Sequence, residues 1–217
     1  MNNSSLSQIE QIFYLGWLMA SQLRGGQEVR DGEGLYRRAC RLVQEVRKSL
    51  SDAGYSDSSQ EHMVYALCAL LDESVLNRGT SDDGYLAWRR DPLQAHFFGT
   101  LNAGEVLWER IRNLLKESAP DMAVLTCMYR TLQLGFVGQY RAQNDERRED
   151  VVRALGERVP AFTLAQDAPI VARVSSLRSG RRLYWLSWII GAAVLAALWY
   201  FFSSSLTELV SQTVRPG

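Results

Sequence analysis

The sequence predicts an all-α domain followed by one membrane-spanning helix. Three observations carry this reading. Apolar residues recur at helical spacing in one segment after another. No segment shows the period-two alternation, bounded by turns, that a strand requires. Near the C-terminus, residues 183–202 carry no charge at all.

Taken in order, Ile9, Ile12, Phe13, Gly16, Trp17, Ala20 and Leu23 mark an amphipathic helix from Ser7 to about Leu23, closed by Gly25-Gly26. The glycine-rich, charged run 24–34 is expected to be a loop. It has no preceding strand and lacks the G-x-G-x-x-G spacing of a dinucleotide site. Glu33 to about Leu50 is a second helix, with Leu35, Ala39, Leu42, Val43, Val46 and Leu50 inward and its many arginines forming a solvated face. Residues 51–59 read as a loop in which Ser58 or Ser59 caps the next helix.

That third helix, Gln60–Asn77, is apolar on nearly every side from Met63 to Leu71 and should be central. Gly79–Arg90 is expected to be a loop or lid. Pro92 opens a short helix to Phe98, and Gly99–Gly104 forms a joint. Glu105–Ser118 is another helix, and Pro120-Asp121 starts one striped by Met122, Leu125, Met128, Tyr129, Leu132 and Phe136. After the charged run Asp145–Asp150, a last helix carries Val151, Val152 and Leu155 to Val159. Residues 1–160 thus form a helical domain of about seven or eight helices, and 161–182, without clear periodicity, form a linker.

Twenty residues at about 1.5 Å of rise per residue span about 30 Å, the thickness of a bilayer core. Tyr184, Trp185 and Trp188 stand at one end of 183–202, and Trp199, Tyr200, Phe201 and Phe202 at the other, as interfacial belts do. Arg178, Arg181 and Arg182 precede the span, whereas Glu208 and Arg215 are the charged side chains after it. The positive-inside rule then puts the helical domain in the cytoplasm and 203–217 across the membrane as a short periplasmic tail. Ser187 and Gly191 have the small-xxx-small spacing that lets two membrane helices approach, so they are a candidate dimer face. The short apolar run 12–20 is not expected to be a signal peptide, because Glu10 precedes it and the first basic residue is Arg24.

Formal net charge is zero, which gives no long-range basic field for nucleic acid. The cysteines, Cys40, Cys68 and Cys127, lie far apart in helical patterns and read as reduced, buried thiols. Phosphate-loop, H-E-x-x-H, G-x-S-x-G and paired C-x-x-C motifs are absent, and His62 and His96 have no flanking ligand set. No metal or cofactor is expected. Asp72 and Glu73 stand out because acids late in a helix meet the unfavourable end of its dipole. They need an arginine (Arg141 or Arg130), a capping role toward a neighbouring loop, or a binding site. Adjacent helical positions point about 100° apart, so they converge poorly on one substrate. An enzyme with an acidic centre at Asp72 and Glu73 is the alternative to a binding protein.

Three stretches together resemble one family: Tyr65–Asn77 (YALCALLDESVLN), His96–Trp108 (HFFGTLNAGEVLW) and Leu134–Arg141 (LGFVGQYR). The chain is similar to the DotU/IcmH-like TssL family, inner-membrane components of bacterial type VI secretion systems, in its short C-tail-anchored form. Ala103-Gly104, where relatives often have two glycines, and Gln139, where they usually have arginine, depart from the pattern. The resemblance implies a non-enzymatic scaffold whose helices group into two bundles forming a hook with a cleft. It implies docking of the cytoplasmic baseplate, through TssK, to an inner-membrane complex containing the IcmF-like TssM and the lipoprotein TssJ, together with homodimerisation. It also implies a partner-binding cleft carrying Asp72, Glu73, Gln139, Tyr140, Arg141 and Gln143. The tail 203–217 is too short for the peptidoglycan-binding domain of long-form relatives, so wall anchoring would come from a partner.

Overall fold

In the computed structural model, which describes residues 3–140 and 144–159, eight α-helices follow one another: α1 (Asn3–Arg24), α2 (Gly32–Asp52), α3 (Asp57–Leu76), α4 (Asp83–Arg90), α5 (Leu93–Phe98), α6 (Ala103–Lys116), α7 (Met122–Gln133) and α8 (Glu146–Arg158). These residues belong to one unit of the chain, Met1–Phe162. No strand occurs among them. None of the described helices is long and apolar enough to cross a membrane, and the predicted span 183–202 lies outside the described residues.

The apolar run of α3 does what its pattern requires. Every residue from Met63 to Leu71 is buried, and α1, α2, α4, α5, α6 and α7 all pack on this helix. One contiguous apolar cluster results, from Ile9 and Phe13 on α1 to Leu155 on α8. Gly16 lets α1 approach closely, since a Cβ there would sit 2.7 Å from a Leu67 methyl carbon. Fully burying each large side chain of such a core stabilises it by about 1.5–3 kcal/mol.

Helix ends are set by side-chain caps. Asp31 starts α2 by accepting from the Gly34 amide at 2.8 Å. α3 is capped by Ser56, whose Oγ accepts from the Ser59 amide at 3.1 Å, rather than by Ser58 or Ser59. Ser59 instead donates its hydroxyl to Asp121 at 2.6 Å. Asp121 is the N-cap of α7, so one carboxylate fastens the starts of two core helices.

The expected loop over Gly79–Arg90 is corrected: its second half is α4. Asp82 caps it, accepting from the Tyr85 amide at 3.1 Å and from the Val29 amide at 2.8 Å, and it pairs with Arg78. Asp83 in the first turn and Arg89 and Arg90 in the last suit the helix dipole, while Ala87 and Trp88 are buried. Eight residues are too few to display a period, which is why the helix did not stand out in the sequence. The last helix begins within the charged run 145–150: Asp145 caps α8 and the remainder forms its first turns.

Candidate functional site

Asp72 and Glu73 occupy the C-terminal half of α3 and serve different neighbours, as their separation around the helix demands. Asp72 is buried and faces α4 and α5. Its Oδ1 accepts from the Trp88 indole N–H and from the Leu93 amide, each at 2.9 Å, and its Oδ2 accepts from the Gln94 amide at 3.0 Å. The residue that opens α5, Pro92, has no side chain able to cap it. Asp72 performs that task from another helix, placing a carboxylate at the first amides of α5. Burial pushes the Asp72 carboxyl up to about 7, against the pull of its three N–H donors toward the ionised form.

Glu73, about 100° further round the helix, faces the chain that follows α7. Its Oε1 accepts from Arg24 Nη2 at 2.6 Å and from the Val137 amide at 2.9 Å, and its Oε2 accepts from the Gly138 amide at 2.7 Å. The Glu73 side chain is 8% exposed and that of Arg24 26%. Arg24 also donates from Nε to Ser74 Oγ at 3.0 Å, and that hydroxyl donates to the Leu70 carbonyl at 2.6 Å. The end of α1 is thereby locked to α3. Of the two expected arginine partners, Arg130 pairs with Glu10 at 3.1 Å instead, and Arg141 lies outside the described residues.

The turn held by Glu73 is where the other two motif stretches meet. Gly138 has φ +59°, and a Cβ there would fall 2.6 Å from the Gly104 carbonyl oxygen and 2.9 Å from Trp108 Nε1. The Gln139 amide donates to that Gly104 carbonyl at 2.9 Å, and the Trp108 indole donates to the Val137 carbonyl at 2.9 Å. Tyr140 packs edge-on against Trp108, with ring centroids 4.6 Å apart. From α8, the buried Arg148 donates to the Leu132 carbonyl at 2.7 Å and the Phe136 carbonyl at 3.2 Å, closing the end of α7. Burial depresses the Arg148 pKa, while Glu73 nearby favours its cationic form.

The predicted cleft residues thus divide into three groups. Asp72 and Tyr140 are buried, and Glu73 is partly buried with its carboxylate turned inward. Gln139 is exposed. Arg141 and Gln143, like the membrane pair Ser187 and Gly191, lie outside the described residues. Sequence reasoning missed Arg24, Trp88 and Arg148 as participants. Arg148 was detectable, because it precedes Val151, Val152, Leu155 and Val159 at steps that place it on the apolar face of α8. Trp88 and Arg24 gave no such signal. Among the described residues no group of three or more His, Cys, Asp or Glu side chains could hold a metal ion.

This arrangement can hold helices together and shape a surface. It offers neither a free carboxylate pair nor a nucleophile beside a base. Comparison with known proteins agrees. The family described as "Type VI secretion system protein DotU" matches residues 9–205. The crystal structure of SciP/TssL from enteroaggregative Escherichia coli 042 is 68% identical, covers 77% of this chain and 97% of its own, and superposes with a TM-score of 0.65. The cytoplasmic domain of TssL from Acinetobacter baumannii (22% identity, 69% of this chain and 94% of that one, TM-score 0.64) shares the fold. So does DotU from Francisella novicida (17%, 69% and 96%, TM-score 0.58). No curated protein matches the chain. With a family match that spans most of its length and a junction built from the very motifs that suggested it, this chain belongs to the type VI secretion DotU family, a family of structural, inner-membrane-associated secretion components rather than enzymes.

Proposed function

We propose that this chain is a docking subunit that couples the cytoplasmic baseplate to the inner-membrane complex through protein–protein contacts. The observation that carries the proposal is the saturation of Asp72 and Glu73. Every oxygen of the pair accepts a hydrogen bond from the fold itself, at the place where the three family motifs meet. The acids position the turn that carries the exposed Gln139, partners read the surface around it, and Tyr140, Arg141 and Gln143 are the further proposed contacts. In this reading the helices group into two bundles with a cleft, residues 1–160 are cytoplasmic, 161–182 link them to a span over 183–202, and 203–217 are periplasmic. The family match runs to residue 205, past the end of the uncharged stretch, which supports the anchor as part of the family's design. The proposed partners are the IcmF-like TssM, TssJ within the same complex, TssK of the baseplate and a second copy of the chain, the last through Ser187 and Gly191.

A photo-crosslinking residue at the exposed position Gln139, introduced in living cells, tests this. Capture of the TssK or TssM protein is expected. A probe that captures water alone, in cells where secretion still works, would remove this surface from the docking role.

A further inference from the structure

We infer that the outward face of α1 takes a second copy of this chain, the two α1 helices packing antiparallel about a two-fold axis between Leu15 and Leu18. Among the described residues five large apolar side chains are exposed, and three of them, Tyr14 (58%), Leu15 (58%) and Leu18 (39%), stand together on this helix. Gln8, Gln11, Ser21 and Gln22 share their arc, all exposed and uncharged, with Met19 half-buried at its edge. The charged residues of α1, Glu10 and Arg24, turn aside into ion pairs with Arg130 and Glu73. The exposed faces of the other long surface helices are charged, as with Arg37 and Glu45 of α2, Glu105 and Arg112 of α6, and Glu149 and Arg153 of α8. From Gln8 to Gln22, about four turns, the outward face of α1 carries no charge. Where Met19 and Gln22 border a shallow groove, its rim has both signs, Glu28 and Asp31 beside Arg30 and Arg38.

The spacing and the charge pattern select the occupant. Gln8, Gln11, Leu15, Leu18 and Gln22 follow one another by three, four, three and four residues, the seam along which one helix packs on another. Turned end for end, Gln11-Leu15-Leu18-Gln22 is again Gln, Leu, Leu, Gln at the same steps. Two antiparallel copies therefore set Leu15 on Leu18 and Gln11 on Gln22, twice over, as an isologous contact requires. The facing glutamines donate and accept across the seam, which fixes its register. A lipid surface fits less well, because interfacial helices set Lys or Arg beside their apolar residues and this arc has neither. A strongly charged partner would meet no counter-charge on it. Three apolar side chains per copy fall short of the about 800 Å² that each partner buries in a standard interface, so the pairing is reversible. This contact is separate from the one proposed through Ser187 and Gly191 and does not rest on it.

The test co-expresses two differently tagged full chains, Gln11→Cys in one and Gln22→Cys in the other, and oxidises freshly broken cells mildly. A disulfide-linked pair carrying both tags is expected, several-fold above the parent, which keeps Cys40, Cys68 and Cys127. Two copies of Gln11→Cys should link several-fold less. Antiparallel packing sets them about 16 Å apart along the helices, beyond the about 7 Å between Cα atoms that a disulfide spans. Adding Leu15→Glu and Leu18→Glu to both chains should cut the mixed link about tenfold or more. Both side chains are exposed, so melting should stay as in the parent. Placing Leu15→Lys and Leu18→Lys in one chain against the two glutamate substitutions in the other should restore the link, which a defect of folding would not allow. No mixed link above the parent, equal linking of Gln11→Cys with itself, or a link that survives glutamates in both chains would each overturn the inference. So would a benzophenone side chain at position 11 that captures lipid or a different protein in cells and no second copy.

Discussion

Asp72 and Glu73, adjacent in sequence and about 100° apart around α3, show how burial and partners divide the work. Asp72 holds its proton more tightly in the folded protein, since burial raises its carboxyl from 3.8 to about 7. Its contribution to stability is therefore greatest below about pH 4 and is lost as pH rises toward 7. Asp72→Asn cannot titrate, and it turns an N–H group toward the Gln94 amide. It should destabilise the domain by about 1–3 kcal/mol. Denaturation of the two proteins across pH 4–8 should show the gap largest at acid pH and narrowing toward neutrality; a gap that widens with pH would contradict the raised carboxyl. Asp82 behaves in the opposite sense. Burial alone would raise it, but the Val29 and Tyr85 amides and the Arg78 cation outweigh burial and hold it below the usual range. Its stabilisation is present above the unfolded pKa and lost on acidification. Gly138 has no room for a methyl group and sits at positive φ, so Gly138→Ala should cost about 1–3 kcal/mol and loosen the turn that Glu73 holds. Chemical denaturation measures this, and an unchanged midpoint would show that the turn adapts.

Helices differ in how plainly they announce themselves. The long ones were legible: α3 from its all-round apolar run, α2 and α7 from their stripes, α1 from the spacing that includes Gly16. What failed were elements defined by caps and distant partners. α4 has one turn of buried residues and is fixed by Asp82, which also ties down Val29 far upstream. Asp82→Ala should cost about 2–5 kcal/mol, since it removes a cap and strands Arg78, whose side chain is 4% exposed. Amide exchange within 83–90 should accelerate while the α3 core stays protected; uniform acceleration would mean that α4 is not an independent element. At the site, the dipole argument correctly demanded partners for Asp72 and Glu73, and two of its three options are realised, capping by Asp72 and an arginine for Glu73. Which arginine was not legible. Arg24 is 49 positions away and stands in sequence where the first helix was expected to have ended. Its role follows from α1 running a turn beside the end of α3, a tertiary fact that no local pattern records.

At the scale of the whole molecule, the three stretches that mark the family are the stretches that the fold brings together. Tyr65–Asn77 supplies the acids, His96–Trp108 supplies Gly104 and the Trp108 indole, and Leu134–Tyr140 supplies the amides that Glu73 holds. Their shared chemistry is internal: the motif residues hold one another in place, which explains how such a pattern marks a family of structural components. In the proposed role, this junction presents a docking surface to other secretion components. The most direct measurement is quantitative co-purification from detergent-solubilised membranes, comparing the parent chain with Glu73→Gln at a temperature where both are folded. The account predicts that the parent brings down the IcmF-like and baseplate proteins, and that Glu73→Gln, with its Gly104–Gly138 turn loosened, brings down several-fold less. Parent chain recovered without either partner from cells that secrete normally would contradict it.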